Sequence, residues 1–330
     1  MYYNFVKVPA VVEIGASILN ILDQILLRNH LSFPHKTLVT SPELHDLYHK
    51  QFNFNQFNQI ILLKGGKVDE FIHLKEQCFE QDTVLIAFGG GSIIDIVKYT
   101  GNHLDIPYIS VPSTLSNDAI YSPVARLIFE GKKRSYGVKP PMGIIVDLDI
   151  IRNSPELLLL AGVADLVSNL SAVKDWTLSN RDTNERINEL AFMLAKEAAI
   201  SILHYEKKDL RNDEFLADLS RGLITSGLSM ILSGDTRGTS GAEHMISHAI
   251  DEYFPEKSTV HGIQVAWGHL QAEKFRGDQG NFMEIYLFFE KMGILQEVTN
   301  RLNFNSEEFS RLITLSRTIR NRYTILEKSK

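Results

Sequence analysis

The sequence predicts an α/β parallel-sheet domain followed by an all-helical domain, and three observations carry that expectation. The first 150 residues alternate short apolar runs with helical patterns, the β-like runs stop at Ser154-Pro155, and amphipathic helical stretches fill the remainder. The runs are Lys36-Thr37-Leu38-Val39-Thr40, Gln59-Ile60-Ile61-Leu62-Leu63, Thr83-Val84-Leu85-Ile86-Ala87-Phe88, Tyr108-Ile109-Ser110-Val111 and Ile144-Ile145-Val146-Asp147. The segments between the first four have the length of crossover helices, as a parallel sheet requires. Ser154-Pro155 reads as an N-cap followed by a proline at the first helical position. The boundary is therefore placed near residue 150, giving domains 1–150 and 151–330.

Composition bounds the function. A chain of 330 residues exceeds the size at which a single core stops growing, so two domains are expected. Apolar residues make up 44% and charged residues 22%, as in ordinary globular proteins. A net charge of −6, with basic runs no longer than Lys132-Lys133-Arg134, argues against nucleic-acid binding. One cysteine, Cys78, excludes an intrachain disulfide and a cysteine-type zinc site. The N-terminal Met1-Tyr2-Tyr3-Asn4 lacks a basic leader, and no uninterrupted apolar run reaches membrane-spanning length. The expectation is a cytoplasmic protein with no membrane span.

Two local signals point to chemistry. The strand Val84–Phe88 runs into Gly89-Gly90-Gly91-Ser92 and then a helical pattern beginning Ile93-Ile94-Asp95. Strand, glycine turn and helix aim free backbone N–H groups at a phosphate, and the carboxyl end of a parallel strand is where such sheets bind ligands. A plain tight turn is the alternative. The second signal is His244, His248 and His261, three of eleven histidines in one window. The Ser240…Glu243 spacing is that of a capping box, so a helix is expected to carry His244 and His248 at i and i+4. Two imidazoles are a common start of a transition-metal site, though a carboxylate must come from elsewhere. Otherwise the pair is two polar residues on an amphipathic helix.

The string Gly89–Lys98 followed by Ile109–Thr114 resembles the superfamily of metal-dependent (iron-containing) alcohol dehydrogenases, glycerol dehydrogenases and dehydroquinate synthases. Lys133-Arg134-Ser135-Tyr136, Gly162–Asn169, Asp175-Trp176, Ser240–His248, His261-Gly262 and Arg320–Leu326 resemble its sn-glycerol-1-phosphate dehydrogenase branch. The resemblance implies a Rossmann-like nucleotide domain, a helical domain, and an active site in the cleft between them. It implies that Asp165, His244 and His261 bind a divalent metal, zinc foremost, with iron, nickel or manganese as alternatives. It places Gly89, Gly90, Gly91, Ser92, Asp95, Ser113 and Thr114 at the cofactor, NAD(P)H. Asp118 and His248 become candidates for substrate contact and proton transfer, with an Asx-turn role as the alternative for Asp118. Arg237 is the candidate clamp for a substrate phosphate, or else a solvated loop arginine.

The implied reaction is reduction of dihydroxyacetone phosphate to sn-glycerol 1-phosphate. The alternatives are a glycerol or polyol dehydrogenase, a dehydroquinate-synthase-like cyclase, or a non-catalytic nucleotide-binding subunit. Asn117, Ala119 and Gly238-Thr239 depart from the branch pattern around the expected substrate site. Thr40-Ser41-Pro42 follows the strand where an acidic residue would select NAD, with Glu43 nearby, so both nicotinamide cofactors fit. The resemblance also implies a homo-oligomer acting on a small molecule.

Overall fold

The structure is a computed structural model and describes residues 8–77 and 79–328; the readings made on the first four residues and on Cys78 lie outside them. The chain divides into two compact units, one of residues up to Leu115 with Ala119–Ser154, the other of Ser116–Asp118 with Pro155 onward.

The first unit is built on a six-stranded parallel sheet. Its strands are β1 (Val11–Gly15), β2 (His35–Thr40), β3 (Gln59–Leu62), β4 (Thr83–Gly89), β5 (Tyr108–Pro112) and β8 (Gly143–Asp147), in the order β1-β8-β5-β4-β2-β3. Helices α1 (Leu22–Arg28), α2 (Pro42–Tyr48), α3 (Asp69–Lys75) and α4 (Gly91–Leu104) link the first five, and α5 (Leu148–Arg152) follows β8. All seven residues of β4 are buried, as a central strand covered on both faces must be. Leu38, Val84, Ile86, Phe88, Ile109, Val111 and Ile145 form the core with Leu22 and Ile25 of α1. The chain leaves β2 toward β3 on one side, then returns to β4 and continues to β5 on the other. The order therefore reverses between β2 and β4, where open α/β sheets form a ligand crevice.

Three strands escape the sequence reading. β1 is a short edge strand paired in parallel with β8. β6 (Val124–Phe129) and β7 (Lys132–Gly137) form an antiparallel hairpin. Its turn residues Glu130 and Gly131 both have positive φ, 49° and 77°, the conformation that a two-residue hairpin turn demands. β7 is almost wholly exposed, so it lacks the apolar alternation of a half-buried strand; Lys132, Lys133 and Arg134 lie on it.

The second unit is helical throughout its described residues: α6 (Glu156–Val167), α7 (Asn169–Thr183), α8 (Glu189–Ile200), α9 (Asp213–Ser233), α10 (Ala242–Tyr253), α11 (His261–Arg276), α12 (Gln279–Met292), α13 (Ile294–Arg301) and α14 (Ser306–Ser316). The first begins one residue later than expected, with Pro155 just before it and no side-chain cap. Glu156–Thr183 and Asp213–Ser233 are apolar and long enough to cross a bilayer, but 78% and 61% of their most apolar windows are buried within the protein. Their apolar character belongs to the core of a bundle, with charged residues breaking the continuous run that a span would need.

Two glycines let α11 approach its neighbours at backbone distance. A Cβ on Gly262 would lie 2.0 Å from the Ala161 carbonyl oxygen on α6, and one on Gly268 would lie 2.6 Å from the Glu243 carbonyl oxygen on α10. Only hydrogen fits at these positions. The helix that begins with His261 is thereby pressed against the helices that carry Asp165 and His244.

Candidate active site

Asp165 sits in the last turns of α6, His244 in the first turn of α10, and His261 opens α11. Each offers one ligand atom, and the three atoms lie within 4.8 Å of one another. His244 Nε2 is 3.3 Å from Asp165 Oδ1, and His261 Nε2 is 3.8 Å from the same oxygen. A tetrahedral zinc with ligands at about 2.0–2.1 Å sets donor atoms roughly 3.3–3.4 Å apart, so the cluster needs only small adjustment to close on an ion.

The surrounding groups fix which nitrogen faces inward. His244 Nδ1 is 3.0 Å from the buried carboxylate of Glu243, and His261 Nδ1 is 3.0 Å from the Ser247 hydroxyl. With both Nδ1 atoms engaged behind the rings, both Nε2 atoms are turned toward Asp165 Oδ1, the second-layer arrangement that orients metal-binding imidazoles. The second carboxylate oxygen of Asp165 accepts the backbone N–H of Asp118 at 3.2 Å. Burial alone would depress the basicity of His244, but hydrogen bonds to Asp165 and Glu243 outweigh it and push the imidazole up to about 9. Burial would likewise raise Glu243, yet His244 and the Gly241 N–H hold it down to about 2. A cation placed among these groups is therefore favoured, whether a proton or a metal. Two nitrogens and one carboxylate oxygen match the donor set of a catalytic divalent ion.

The expected capping box is not formed. The N-cap of α10 is Gly241, with no side-chain cap, because Glu243 is drawn to the Gly241 N–H and His244. Ser240 instead accepts from Arg320 at 3.0 Å. The helix begins one residue later than the spacing placed it, at Ala242, and His244 and His248 still share a face with ring centroids 6.1 Å apart. His248 stacks on His261 at 5.8 Å, and its Nδ1 faces Nη2 of Arg320 at 3.5 Å. Asp118 opens a short 3-10 turn, Asp118–Ile120, beside Asp165.

Arg237 has a different situation from either expected one. It is buried, its Nε and Nη2 grip both oxygens of Glu185, and it also donates to Ser179 and the Tyr323 carbonyl. It is neither a solvated loop arginine nor a guanidinium with its fork open to an incoming phosphate. Nothing within Arg237-Gly238-Thr239 reveals this, since Glu185 lies 52 residues away in sequence.

Asp175, which no local spacing marks as functional, is a hub. Its carboxylate accepts the backbone N–H of Ala242 at 2.7 Å and of Ile325 at 3.0 Å, and pairs with Arg276 at 2.7 Å. It thus fastens the start of α10, the end of α11 and the C-terminal segment together.

In the first unit, the glycine turn lies where the strand pattern puts it. β4 ends at Gly89, α4 starts at Gly91, and its N-cap Gly90 leaves the first-turn N–H groups without a side-chain cap. A Cβ on Gly89 would be 2.6 Å from Ile93, so a close turn is obligatory. Ser113 and Thr114 follow the neighbouring strand β5, with the Ser113 N–H bonded to the Gly89 carbonyl at 2.9 Å. Asp95 is committed elsewhere: it is buried, 3.2 Å from Lys98, and accepts the Arg126 N–H at 3.0 Å. Lys98 in turn donates to Ser122 and the Val124 carbonyl, so this pair anchors the β6–β7 hairpin on α4. Sequence reading also missed Gly65-Gly66 after β3. Both have positive φ, and Gly66 N–H bonds to the Ser92 carbonyl at 3.1 Å, bracing the glycine turn.

A glycine turn at the carboxyl end of a parallel strand and a His₂Asp set in a helical unit fit the class of metal-dependent dehydrogenases that use a dinucleotide. Residues 14–155 match the family described as iron-containing alcohol dehydrogenase. The glycerol-1-phosphate dehydrogenase [NAD(P)+] of Archaeoglobus fulgidus is 33% identical over 345 residues, covering 100% of this chain and 95% of that protein. The enzyme of the same name from Thermococcus sibiricus is 37% identical over 246 residues, 74% of this chain and 69% of its own. The crystal structure of glycerol dehydrogenase from Schizosaccharomyces pombe shares the fold with a TM-score of 0.78 at 19% identity, covering 100% of this chain and 87% of that one. The chain belongs to the glycerol-1-phosphate dehydrogenase family of iron-containing alcohol dehydrogenases.

Proposed function

We propose that this protein reduces dihydroxyacetone phosphate to sn-glycerol 1-phosphate with NAD(P)H, using a divalent metal, zinc by its donor set. The observation that carries the reading is the convergence of Asp165, His244 and His261, with both imidazole Nδ1 atoms anchored by Glu243 and Ser247. It is supported by the relatives named glycerol-1-phosphate dehydrogenase.

Bound metal supplies Lewis acidity toward the C2 oxygen, and the nicotinamide supplies hydride to C2. Asp165, His244 and His261 hold the ion, while Glu243 and Ser247 keep the rings turned toward it. The ketone gains a hydride at carbon and a proton at oxygen, giving the alcohol and NAD(P)+. His248, whose Nδ1 faces Arg320 Nη2 at 3.5 Å, is the group assigned to deliver the proton to the C2 oxygen. Asp118, whose backbone N–H donates to Asp165, is assigned to orient the substrate hydroxyl. Gly89, Gly90, Gly91 and Ser92 receive the cofactor pyrophosphate at the start of α4, and Ser113 and Thr114 border it. The turn after β2 carries Ser41, which caps α2 by accepting from Leu44 N–H at 3.2 Å, with the exposed Glu43 carboxylate beside it, so this turn is compatible with both nicotinamide cofactors.

The test is NAD(P)H oxidation by the zinc-loaded protein with dihydroxyacetone phosphate, beside free dihydroxyacetone and a His261→Ala variant. Zinc-dependent turnover of the phosphate ester, lost in the variant, is expected. Preference for the free ketone would reassign the protein as a polyol dehydrogenase, and no oxidation with either would remove the substrate class.

A further inference from the structure

With Arg237 held by Glu185, a phosphorylated substrate must find its cation elsewhere in the helical unit. We propose that Arg320, with the hydroxyls of Ser240 and Thr236, forms the subsite for the phosphate of a small phosphomonoester substrate. This rests on the function proposed above and names the group that makes it phosphate-selective.

Four observations converge on that side chain. First, its position is suitable, because Nη2 faces His248 Nδ1 at 3.5 Å, and His248 stacks on the metal-binding His261 at a centroid distance of 5.8 Å. A group one short linker away from a C2 oxygen at the metal cluster falls in this neighbourhood. Second, the arginine is aimed by hydroxyl groups. Nη1 donates to Ser240 Oγ at 3.0 Å and to Thr236 Oγ1 at 3.3 Å. Serine and threonine hydroxyls can rotate to donate to an anion, so arginine and hydroxyls together present donors from two directions.

Third, Arg322 adds a second guanidinium on the same loop, fixed by the carbonyls of Thr236 and Ser240 and by Thr236 Oγ1. Burial, then the nearby positive charge of Arg237, lowers its proton affinity against the carboxylates of Asp235, Glu243 and Glu185, and an anion bound here would favour its charged form. Fourth, this gathering of Arg237, Arg320 and Arg322 stands in a chain whose net charge is −6, so it runs against the overall balance. The Ser240 side chain, freed from the capping role that its spacing suggests, is what makes the arrangement available.

The experiment compares zinc-loaded wild-type protein with Arg320→Gln and Arg320→Lys, each checked for zinc content and melting temperature. Two quantities are read: the ratio of kcat/KM for dihydroxyacetone phosphate to that for free dihydroxyacetone, and the calorimetric affinity for inorganic phosphate. The proposal expects the ratio to fall at least tenfold in Arg320→Gln, with Arg320→Lys between, and phosphate affinity to weaken alongside. Equal losses on both ketones would overturn it, leaving Arg320 as a positioning residue for His248, and so would unchanged values. If wild type shows no preference for the phosphate ester, the function proposed above fails by itself. Inorganic phosphate binding, lost or kept in Arg320→Gln, then still decides the subsite.

Discussion

Replacing Gly262 by alanine sets two effects of known size against each other. Alanine is better than glycine by up to about 1 kcal/mol in a helix, less in the first turn where Gly262 stands, so helix propensity alone would make the variant slightly more stable. The new Cβ, however, would lie 2.0, 2.5 and 2.7 Å from the carbonyl oxygen, carbonyl carbon and Cα of Ala161, where ordinary contact begins at 3.4 Å. The atoms it meets are backbone, so no rotamer change removes the clash. α11 and α6 must separate locally by about 1.4 Å, the difference between 3.4 and 2.0 Å. Overpacking of this kind costs about 1–3 kcal/mol, and more where only backbone can yield. The net expectation is a loss of about 2 kcal/mol, a fall in melting temperature of roughly 4–8 °C for a unit of this size. The same displacement moves His261, its immediate neighbour, by more than the ~0.5 Å tolerance of a preorganised site, so zinc affinity should drop at least tenfold. Differential scanning calorimetry and zinc titration against a chromophoric chelator read the two effects. Gly280→Ala is the control: it sits in the first turn of α12, exposed, with its Cβ no closer than 3.4 Å to Asp278, and should be neutral or stabilising. A Gly262→Ala protein with unchanged melting temperature and zinc affinity would refute the close helix approach and the role assigned to it.

Glu243→Gln should keep the fold yet weaken zinc binding by about 10–100-fold, because the charge behind His244 Nδ1 is lost; competition with a chelator measures it. Arg237→Met should lower stability by about 1–3 kcal/mol in denaturant titrations, since it removes a two-pronged pair with Glu185, itself partly exposed. It should leave the ratio of phosphate-ester to free-ketone activity near the wild-type value, in contrast to Arg320. For Glu273, burial raises the carboxyl pKa, but His269, Arg276 and Lys174 together hold it at about 2 against an ordinary 4.5. A depressed carboxylate stabilises above its unfolded pKa and loses that contribution as pH falls through the folded one. The stability gap between wild type and Glu273→Gln should therefore shrink by roughly 3 kcal/mol as pH falls from above 4.5 toward 2 in acid denaturation curves. A gap independent of pH would show that the carboxylate charge contributes nothing.

Much of this protein is written in short-range patterns. The alternation of apolar runs with crossover-length segments determined five of the six sheet strands, and Gly89-Gly90-Gly91 marked the turn from β4 into α4, because backbone propensity and burial period are local properties. The histidine spacing likewise put His244 and His248 on one helical face. Other features needed the tertiary structure. β1 and the β6–β7 hairpin are short or exposed, and so carry no apolar period to detect. Asp165 lies within the apolar α6, where only the resemblance of Gly162–Asn169 singles it out and no spacing rule joins it to His244 and His261; packing of α11 through Gly262 and Gly268 brings the three together. The three arginines of the 237 and 320–322 segments look alike in sequence, since charge alone does not reveal a partner. The fold brings Glu185 to Arg237 and sets Arg320 against Ser240 and His248, and that choice of neighbours distinguishes the guanidinium clamped by a carboxylate from the one held by hydroxyls beside His248.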